Sequence, residues 1–156
     1  MKLQILALSL AGLAIAIAPV VVNAQMPGRH PAYLHARSDL RAAQILLRVR
    51  EERNVTRHLV EADHEAEAAI LEIDHAAVLD HKDIEDHPHV DMNFDRLGRF
   101  RRTVELLREA RADLAREEDN GRARGWRDAA YRHIDGALEH IHRAAVDLHW
   151  DHELGF

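Results

Sequence analysis

The sequence predicts an all-α fold, an antiparallel four-helix bundle that is built from two helical hairpins and preceded by a cleavable signal peptide. Apolar residues recur at three- to four-residue spacing in four successive segments, which is typical of amphipathic helices. No segment shows the alternation of apolar and polar residues that predicts a half-buried strand. We therefore expect a signal peptide at 1–24, a linker at 25–30 and one four-helix bundle domain at 31–156.

The first 24 residues have the three-part layout of a secretory signal. Lys2 gives a positive start, Ile5–Ala18 carries no charge, and the small or modest side chains at 22–24 suit a signal peptidase. An uncleaved membrane anchor is the alternative, because Leu3–Val22 approaches the ~20 apolar residues that span a bilayer. Pro19 and the alanine-rich middle favour cleavage. We therefore expect a periplasmic or secreted protein without stable membrane insertion after the signal is removed.

The first hairpin is predicted from two helices, at about 31–53 and 57–80. Pro31 suits a first helical turn, where its missing N–H has no partner to lose. The apolar stripe of the first helix comprises Tyr33, Ala36, Leu40, Ala43 and Leu47. A turn at 54–56 precedes the second helix, whose stripe comprises Leu59, Ala62, Ala66, Ala69, Ile70, Ile73, Ala76 and Ala77.

The second hairpin is predicted from helices that begin near Asn93 or Asp95 and near Arg124. The third helix continues to about residue 119 and buries Leu97, Phe100, Val104, Leu107 and Leu114. Asn120 and Gly121 then tolerate the left-handed conformation that ends a helix. The fourth helix runs to about residue 150 with the stripe Ala130, Ile134, Ala137, Leu138, Ile141, Ala145 and Leu148. Alanines in the second and fourth stripes predict that these two backbones approach closely.

The composition of the chain excludes several classes of function and favours others. Without the leader the chain has 20 Lys and Arg against 27 Asp and Glu, a formal charge of −7, because Lys2 is the only charged residue at 1–24. That charge argues against a nucleic-acid partner. The absence of cysteine excludes disulfides, cysteine nucleophiles and covalently attached haem. The 13 histidines favour either metal binding or a pH response, since histidine is a common metal ligand and titrates near neutrality.

The segment 80–91 is the first candidate metal site. Its histidines and carboxylates provide the imidazole and oxygen ligands that suit Zn, Ni, Cu(II) or Mn. It does not match an EF-hand loop, and an ordinary solvated connection is the alternative interpretation. The predicted ligands are His81, Asp83, Asp86, His87, His89 and Asp91.

The C-terminal face of the fourth helix is the second candidate metal site. His142, His149 and His152 share one side of that helix if it persists far enough, and Asp151 or Glu153 would assist. A histidine-rich last turn also has a structural explanation, because cations are favoured at a helix C-terminus.

A di-iron site is the third possibility, suggested by Glu-x-x-His at Glu72/His75 and at Glu139/His142. Asp39 and Glu105 would supply the remaining carboxylates. The helical phase of Glu72, His75 and Glu139 places them away from the apolar stripes, which disfavours a site inside the bundle.

We therefore expect an exported, non-catalytic protein that binds a divalent metal. A protein-interaction or chaperone-like envelope module is the alternative, because Val60, Leu71 and Val78, with Leu46 and Val49, lie outside the main stripes. Such a module implies a homo-oligomer or an envelope protein partner. A metal-dependent enzyme is a third hypothesis, although no catalytic triad, phosphate loop or His-Glu-x-x-His motif is present.

Several short strings of residues resemble a group of small, exported, uncharacterised bacterial helical proteins. They are His30-Pro31-x-Tyr33-Leu34, Asp39-Leu40-Arg41-x-Ala43, Lys82-Asp83, Asp86-His87-Pro88, Val90-Asp91 and Glu117-Glu118-Asp119-Asn120. The resemblance spans nearly the whole mature chain and implies an exported helical domain. It implies no activity and no functional residue.

Overall fold

The computed structural model describes residues 31–79, 90–116, 121 and 123–156 of the chain. This part is all-helical and has no strand. Its four helices pack against one another: α1 (Pro31–Leu47), α2 (Arg53–Leu79), α3 (Arg96–Leu114) and α4 (Arg124–Leu148). The all-α prediction is confirmed for these residues. The predicted signal peptide and linker lie outside them.

Each helix contacts two others, and the contacts fix their directions. α2 packs most extensively on α4 and α1 on α3, while α1–α2 and α3–α4 complete the ring. Asn54 near the start of α2 bonds to Asp147 near the end of α4, so these helices run in opposite directions. Arg37 of α1 likewise bonds to Asp74 of α2, and the α1–α2 turn bonds to the start of α3. Leu79 and Arg96 therefore lie at opposite ends of the fold.

The α2–α4 contact is lined by the smallest side chains of the core. This is the most extensive helix pair of the described residues, and the fully buried alanines of the two helices are Ala62, Ala66, Ala69 and Ala76 on α2 and Ala130, Ala137, Ala144 and Ala145 on α4. Because alanine carries only a Cβ, two such faces let the helix backbones come close. The predicted approach of the second and fourth helices is confirmed. None of the helices in the described residues has the length and apolarity to cross a membrane.

The first hairpin turns earlier than the sequence predicts. α1 ends at Leu47 and the turn occupies 48–52, so residues 54–56 lie inside the first turn of α2. The Thr56 hydroxyl donates to the Glu51 carbonyl at 2.8 Å and accepts from the Glu51 N–H at 3.0 Å. Thr56 therefore ties the turn to the helix that follows. Asn54 is not a free loop side chain either, since its amide donates to Asp147 at 2.9 Å.

Two expectations about side-chain exposure need correction. Leu46 was expected on an exposed phase of α1, but it is buried with 2% of its surface exposed. α1 packs on both α2 and α3, and a helix with two neighbours buries a wider face than a single stripe. Leu97, expected in the core, is only half-buried because it lies in the first turn of α3.

Two ion pairs, each with one buried partner, fix the position of α1 and of its turn. Arg37 is 2% exposed, and its guanidinium bonds to both oxygens of Asp74, one of them at 3.3 Å. The Glu51 side chain is 8% exposed and pairs with Arg99 and with Arg96, whose Nε lies 2.7 Å from Glu51 Oε2. Breaking such a pair by removing one partner leaves an uncompensated buried charge, so both pairs hold their helices in register.

The residues after α4 fold back on α3. His149 adopts a left-handed conformation (φ 58°) that ends α4, and the Trp150 ring meets Phe100 edge-on at 5.7 Å. Leu154 is buried, and the Arg108 guanidinium donates to the Gly155 carbonyl at 2.9 Å. The C-terminal segment is therefore part of the packed structure.

Enlarging one alanine of the α2–α4 contact should destabilise the protein. Ala66→Leu inserts three carbons where two backbones meet, and overpacking of this kind costs about 1–3 kcal/mol. Ala112→Leu, on the exposed face of α3, makes the same chemical change and should stay within about 0.5 kcal/mol. Urea denaturation of both variants measures the difference. Equal midpoints for the two variants would contradict a close α2–α4 contact.

Candidate functional site

Five of the six first-choice metal ligands, His81, Asp83, Asp86, His87 and His89, lie outside the described residues. The sixth, Asp91, is exposed, and its Oδ1 accepts a hydrogen bond from the Asn93 N–H at 2.8 Å. It stands at the mouth of a small groove between α1 and α3, lined also by Val90, Phe94, Ala42, Arg102 and Leu106. Its Oδ2 has no bond within the described residues, so Asp91 keeps one oxygen for a ligand.

The structure describes all three second-choice histidines, and only His142 lies within a helix. His142 stacks on the Phe156 ring with centroids 4.8 Å apart. His149 follows the last residue of α4, and the left-handed turn there takes the chain off the helix axis. His152 is almost fully exposed, with its Nε2 3.8 Å from Asp151 Oδ2. The expected row of histidines requires α4 to continue past His149, but α4 ends at Leu148.

The carboxylates and histidines of the di-iron hypothesis are not grouped as a metal site within the described residues. His75 is exposed with its ring 4.5 Å from Trp126, while Glu139 is exposed and accepts from Arg143 Nε at 3.1 Å. Glu105 is exposed on α3. Glu72 is half-buried, and its Oε2 is buried without a bond to any described residue. The outward phase predicted for His75 and Glu139 agrees with their exposure.

A different set of titratable side chains faces across one edge of the α2–α4 contact. We call it the His–acid seam, formed by His58, Glu65, His133, His140 and Asp147. His133 Nδ1 lies 2.7 Å from Glu65 Oε2, and His58 Nε2 lies 3.7 Å from Asp147 Oδ2. The rings of His58 and His140 have centroids 6.4 Å apart. The seam therefore contains two imidazole–carboxylate pairs across the α2–α4 contact and one pair of neighbouring imidazoles.

The seam also shows the effect of close packing on side chains. A Cβ added at Gly136 would meet Glu65 Cδ at 3.1 Å, so the missing side chain of Gly136 makes room for the carboxylate that pairs with His133.

Burial lowers the pKa of His58, and the neighbouring Asp147 carboxylate opposes that effect. His58 is consequently held toward its neutral form, which can accept a hydrogen bond or ligate a metal.

The seven-residue spacing of the seam residues is visible in the sequence. Residues 133, 140 and 147 are seven apart, as are 58 and 65, and a seven-residue spacing keeps side chains on one side of a helix. Only the packing of α2 on α4 in opposite directions shows that the two rows face each other. Within the described ranges, no three His, Asp or Glu side chains are grouped so as to hold a metal ion.

Asp39 is the most strongly perturbed carboxyl group of the described residues. It is half-buried on α1, and burial, with Glu109 and Asp113 of α3 adding like charge, raises its pKa to about 6. Arg102 and His35 oppose that shift. Asp39 therefore changes charge close to neutral pH at the α1–α3 contact.

The variant Asp39→Asn should raise stability at pH 7 but not at pH 4. The folded protein holds the Asp39 proton more tightly than the unfolded chain does. Asp39 therefore stabilises the fold at pH values below its ordinary pKa of 3.8. That contribution is lost as the pH rises through about 6. After allowance for solvent screening, the gain at pH 7 is about 1 kcal/mol.

Thermal unfolding at both pH values measures the effect. Glu61→Gln, which removes an exposed carboxylate on α2, is the control and should change neither melting temperature appreciably. A gain for Asp39→Asn that is the same at pH 4 as at pH 7 would contradict the raised pKa.

No family model, curated protein or solved structure matches this chain. A function for it therefore has to be argued from the chemistry of its own residues.

Proposed function

We propose that this chain is an exported, non-catalytic helical-bundle protein that binds a divalent transition metal through the segment 80–91. The observation that carries the proposal is the concentration of three histidines and five carboxylates within those twelve residues. Imidazole and carboxylate together suit Zn²⁺, Ni²⁺, Cu²⁺ or Mn²⁺. The leader at 1–24 supports export to the periplasm or beyond.

The position of Asp91 supports the same proposal. It is the last residue of the segment, it is exposed, and one of its carboxylate oxygens has no bond within the described part of the chain. Several histidines that the structure describes, by contrast, already contact other side chains. His133 and His58 already have carboxylate neighbours in the seam, and His142 is stacked on Phe156.

Replacing the segment histidines should weaken metal binding. The triple variant His81→Ala, His87→Ala, His89→Ala removes three proposed ligands, and we expect its affinity for Zn²⁺ or Ni²⁺ to fall by at least about tenfold. Isothermal titration of the mature protein, purified without a metal-affinity tag, measures this. The matched control replaces the exposed His35, His64 and His75 in the same way.

The outcomes separate the two predicted sites. A loss confined to the segment variant supports the proposal. A loss confined to a variant of His142, His149 and His152 would move the site to the C-terminal end and contradict the first choice. Equal affinity in all variants, or no binding to the unmodified protein, would leave the histidines without a role as metal ligands.

A second candidate function is protein interaction, and the exposed apolar residues of α2 favour it. Leu71 is 56% exposed and Val60 is 45% exposed, and both lie on the outer face of α2. Their separation of eleven positions corresponds to just over three helical turns, so they lie nearly in one line. Exposed apolar side chains aligned on one helix face can contribute to a self-association surface.

If that surface forms a homo-oligomer, Leu71→Arg should convert it to monomer. Analytical ultracentrifugation of the mature protein measures the oligomeric state. Val146→Arg changes a comparably exposed residue on α4 and should leave the state unchanged. A monomeric unmodified protein with no stable partner recovered from the cell envelope would contradict this second function.

A further inference from the structure

We propose that the groove at the α1–α2 turn binds a freely diffusing amphiphilic anion, a single carboxylate on an apolar chain of medium length. The groove has a volume of about 530 Å³, within the range of small-molecule sites. We call it the arginine groove, and its principal lining residues are Leu47, Arg48, Val49, Arg50, Arg53 and Val60. This inference does not rest on metal binding.

The arginine groove has more positive charge than its surroundings neutralise. Arg48 reaches Asp63 Oδ2 through its Nε at 3.0 Å, which leaves its terminal nitrogens exposed. Arg50 and Arg53 are exposed and have no partner within the described residues. The one carboxylate that lines the groove, Glu51, is already held by Arg96 and Arg99 on its other side. Two guanidinium groups are therefore available to an anion.

Local geometry holds these arginines in place around the groove. The paired hydrogen bonds between Thr56 and Glu51 fix the turn, so the backbone that carries Arg50 and Arg53 is ordered before a ligand arrives. α2 begins at Arg53, and its N-terminal dipole adds to the attraction for negative charge. An arginine fork pairs with a carboxylate through two parallel hydrogen bonds.

The other half of the groove is apolar. Leu47 is buried beneath it, Val49 is half-buried, and Val60 stands on its far wall with 45% of its surface exposed. An aliphatic chain would displace water from these side chains, which is favourable because apolar surface is removed from water. A ligand with both a carboxylate and an aliphatic tail satisfies both halves, and neither acetate nor a plain alcohol does.

The arginine groove is positively charged although the chain as a whole is negatively charged. The mature protein carries a formal charge of −7, so its overall field repels anions. Anion binding by this protein therefore needs a local group of cations. The arginine groove places such a group beside an apolar wall, which distinguishes it from the exposed arginines at Arg101 and Arg132.

Binding of octanoate to the mature protein tests the proposal, measured by isothermal titration below the concentration at which the ligand forms micelles. We expect Arg50→Ala with Arg53→Ala to weaken binding by at least about tenfold, because two charge-assisted contacts are lost. The matched control, Arg101→Ala with Arg132→Ala, removes the same charge from exposed sites without partners in the described residues and should change affinity less than twofold.

The apolar half is tested with a second matched pair. Val60→Ser should weaken octanoate binding several-fold, and Val146→Ser, which alters an equally exposed valine on α4, should have no effect. Acetate and octanol, which supply the head or the tail alone, should bind at least about tenfold more weakly than octanoate. Circular dichroism confirms that each variant remains folded.

Three outcomes would overturn the proposal. The first is equal weakening by the groove and control arginine pairs, which would indicate general charge attraction. The second is octanol binding as tightly as octanoate. The third is binding only to vesicles of anionic phospholipid and not to monomeric octanoate, which would indicate a membrane surface as the partner.

Discussion

The close contact between α2 and α4 is the constraint on which the rest of the structure depends. Fully buried alanines on both helices keep the two backbones near each other. That separation brings the polar residues beside the alanine stripe within reach across the contact, so Asn54 meets Asp147 and Glu65 meets His133. Even one methyl group matters at the edge, as the 3.1 Å approach of Glu65 to a Cβ at Gly136 shows. Larger residues at these positions would force the two helices apart and separate the partners of the His–acid seam.

Buried charge has a different role, which is to specify how α1 sits on its neighbours. Arg37 with Asp74 joins α1 to α2, and Glu51 joins the α1–α2 turn to the start of α3. Ion pairs of this kind add little net stability compared with an apolar substitute, but alternative registers would leave their charges unpaired. Because Glu51 is occupied by Arg96 and Arg99, it does not neutralise Arg50 or Arg53. The interaction that orients the turn thus also leaves the arginine groove positively charged.

Features that depend on residue spacing within one helix could be predicted from the sequence. Features that depend on neighbouring helices could not. The four apolar stripes and the alanine-lined approach of two helices follow from residue spacing alone, and the described structure agrees with them. The end of α1 at Leu47 does not follow from residue spacing. Residues 48–53 are mostly polar and compatible with a helix, and the ion pairs that Glu51 makes with α3 hold them in a turn instead. Leu46 is buried by a second neighbouring helix that no single-helix pattern reveals. His58 and His140 are both evident in the sequence. Their proximity can be recognised only when it is known which helices pack together and in which directions.

The perturbed groups explain why the pH dependence of folding is a poor guide to the histidines. His58, whose pKa is lowered by burial, contributes stability above its ordinary pKa of 6.5 that is lost as the pH falls. Asp39, whose pKa is raised to about 6, contributes stability at low pH that is lost as the pH rises. The two effects have opposite signs, so each offsets the other in the pH dependence of stability. A nearly constant melting temperature is therefore compatible with individual linkages, and single-site variants separate them. By the same reasoning, a role for the many histidines is better sought in ligand binding than in stability.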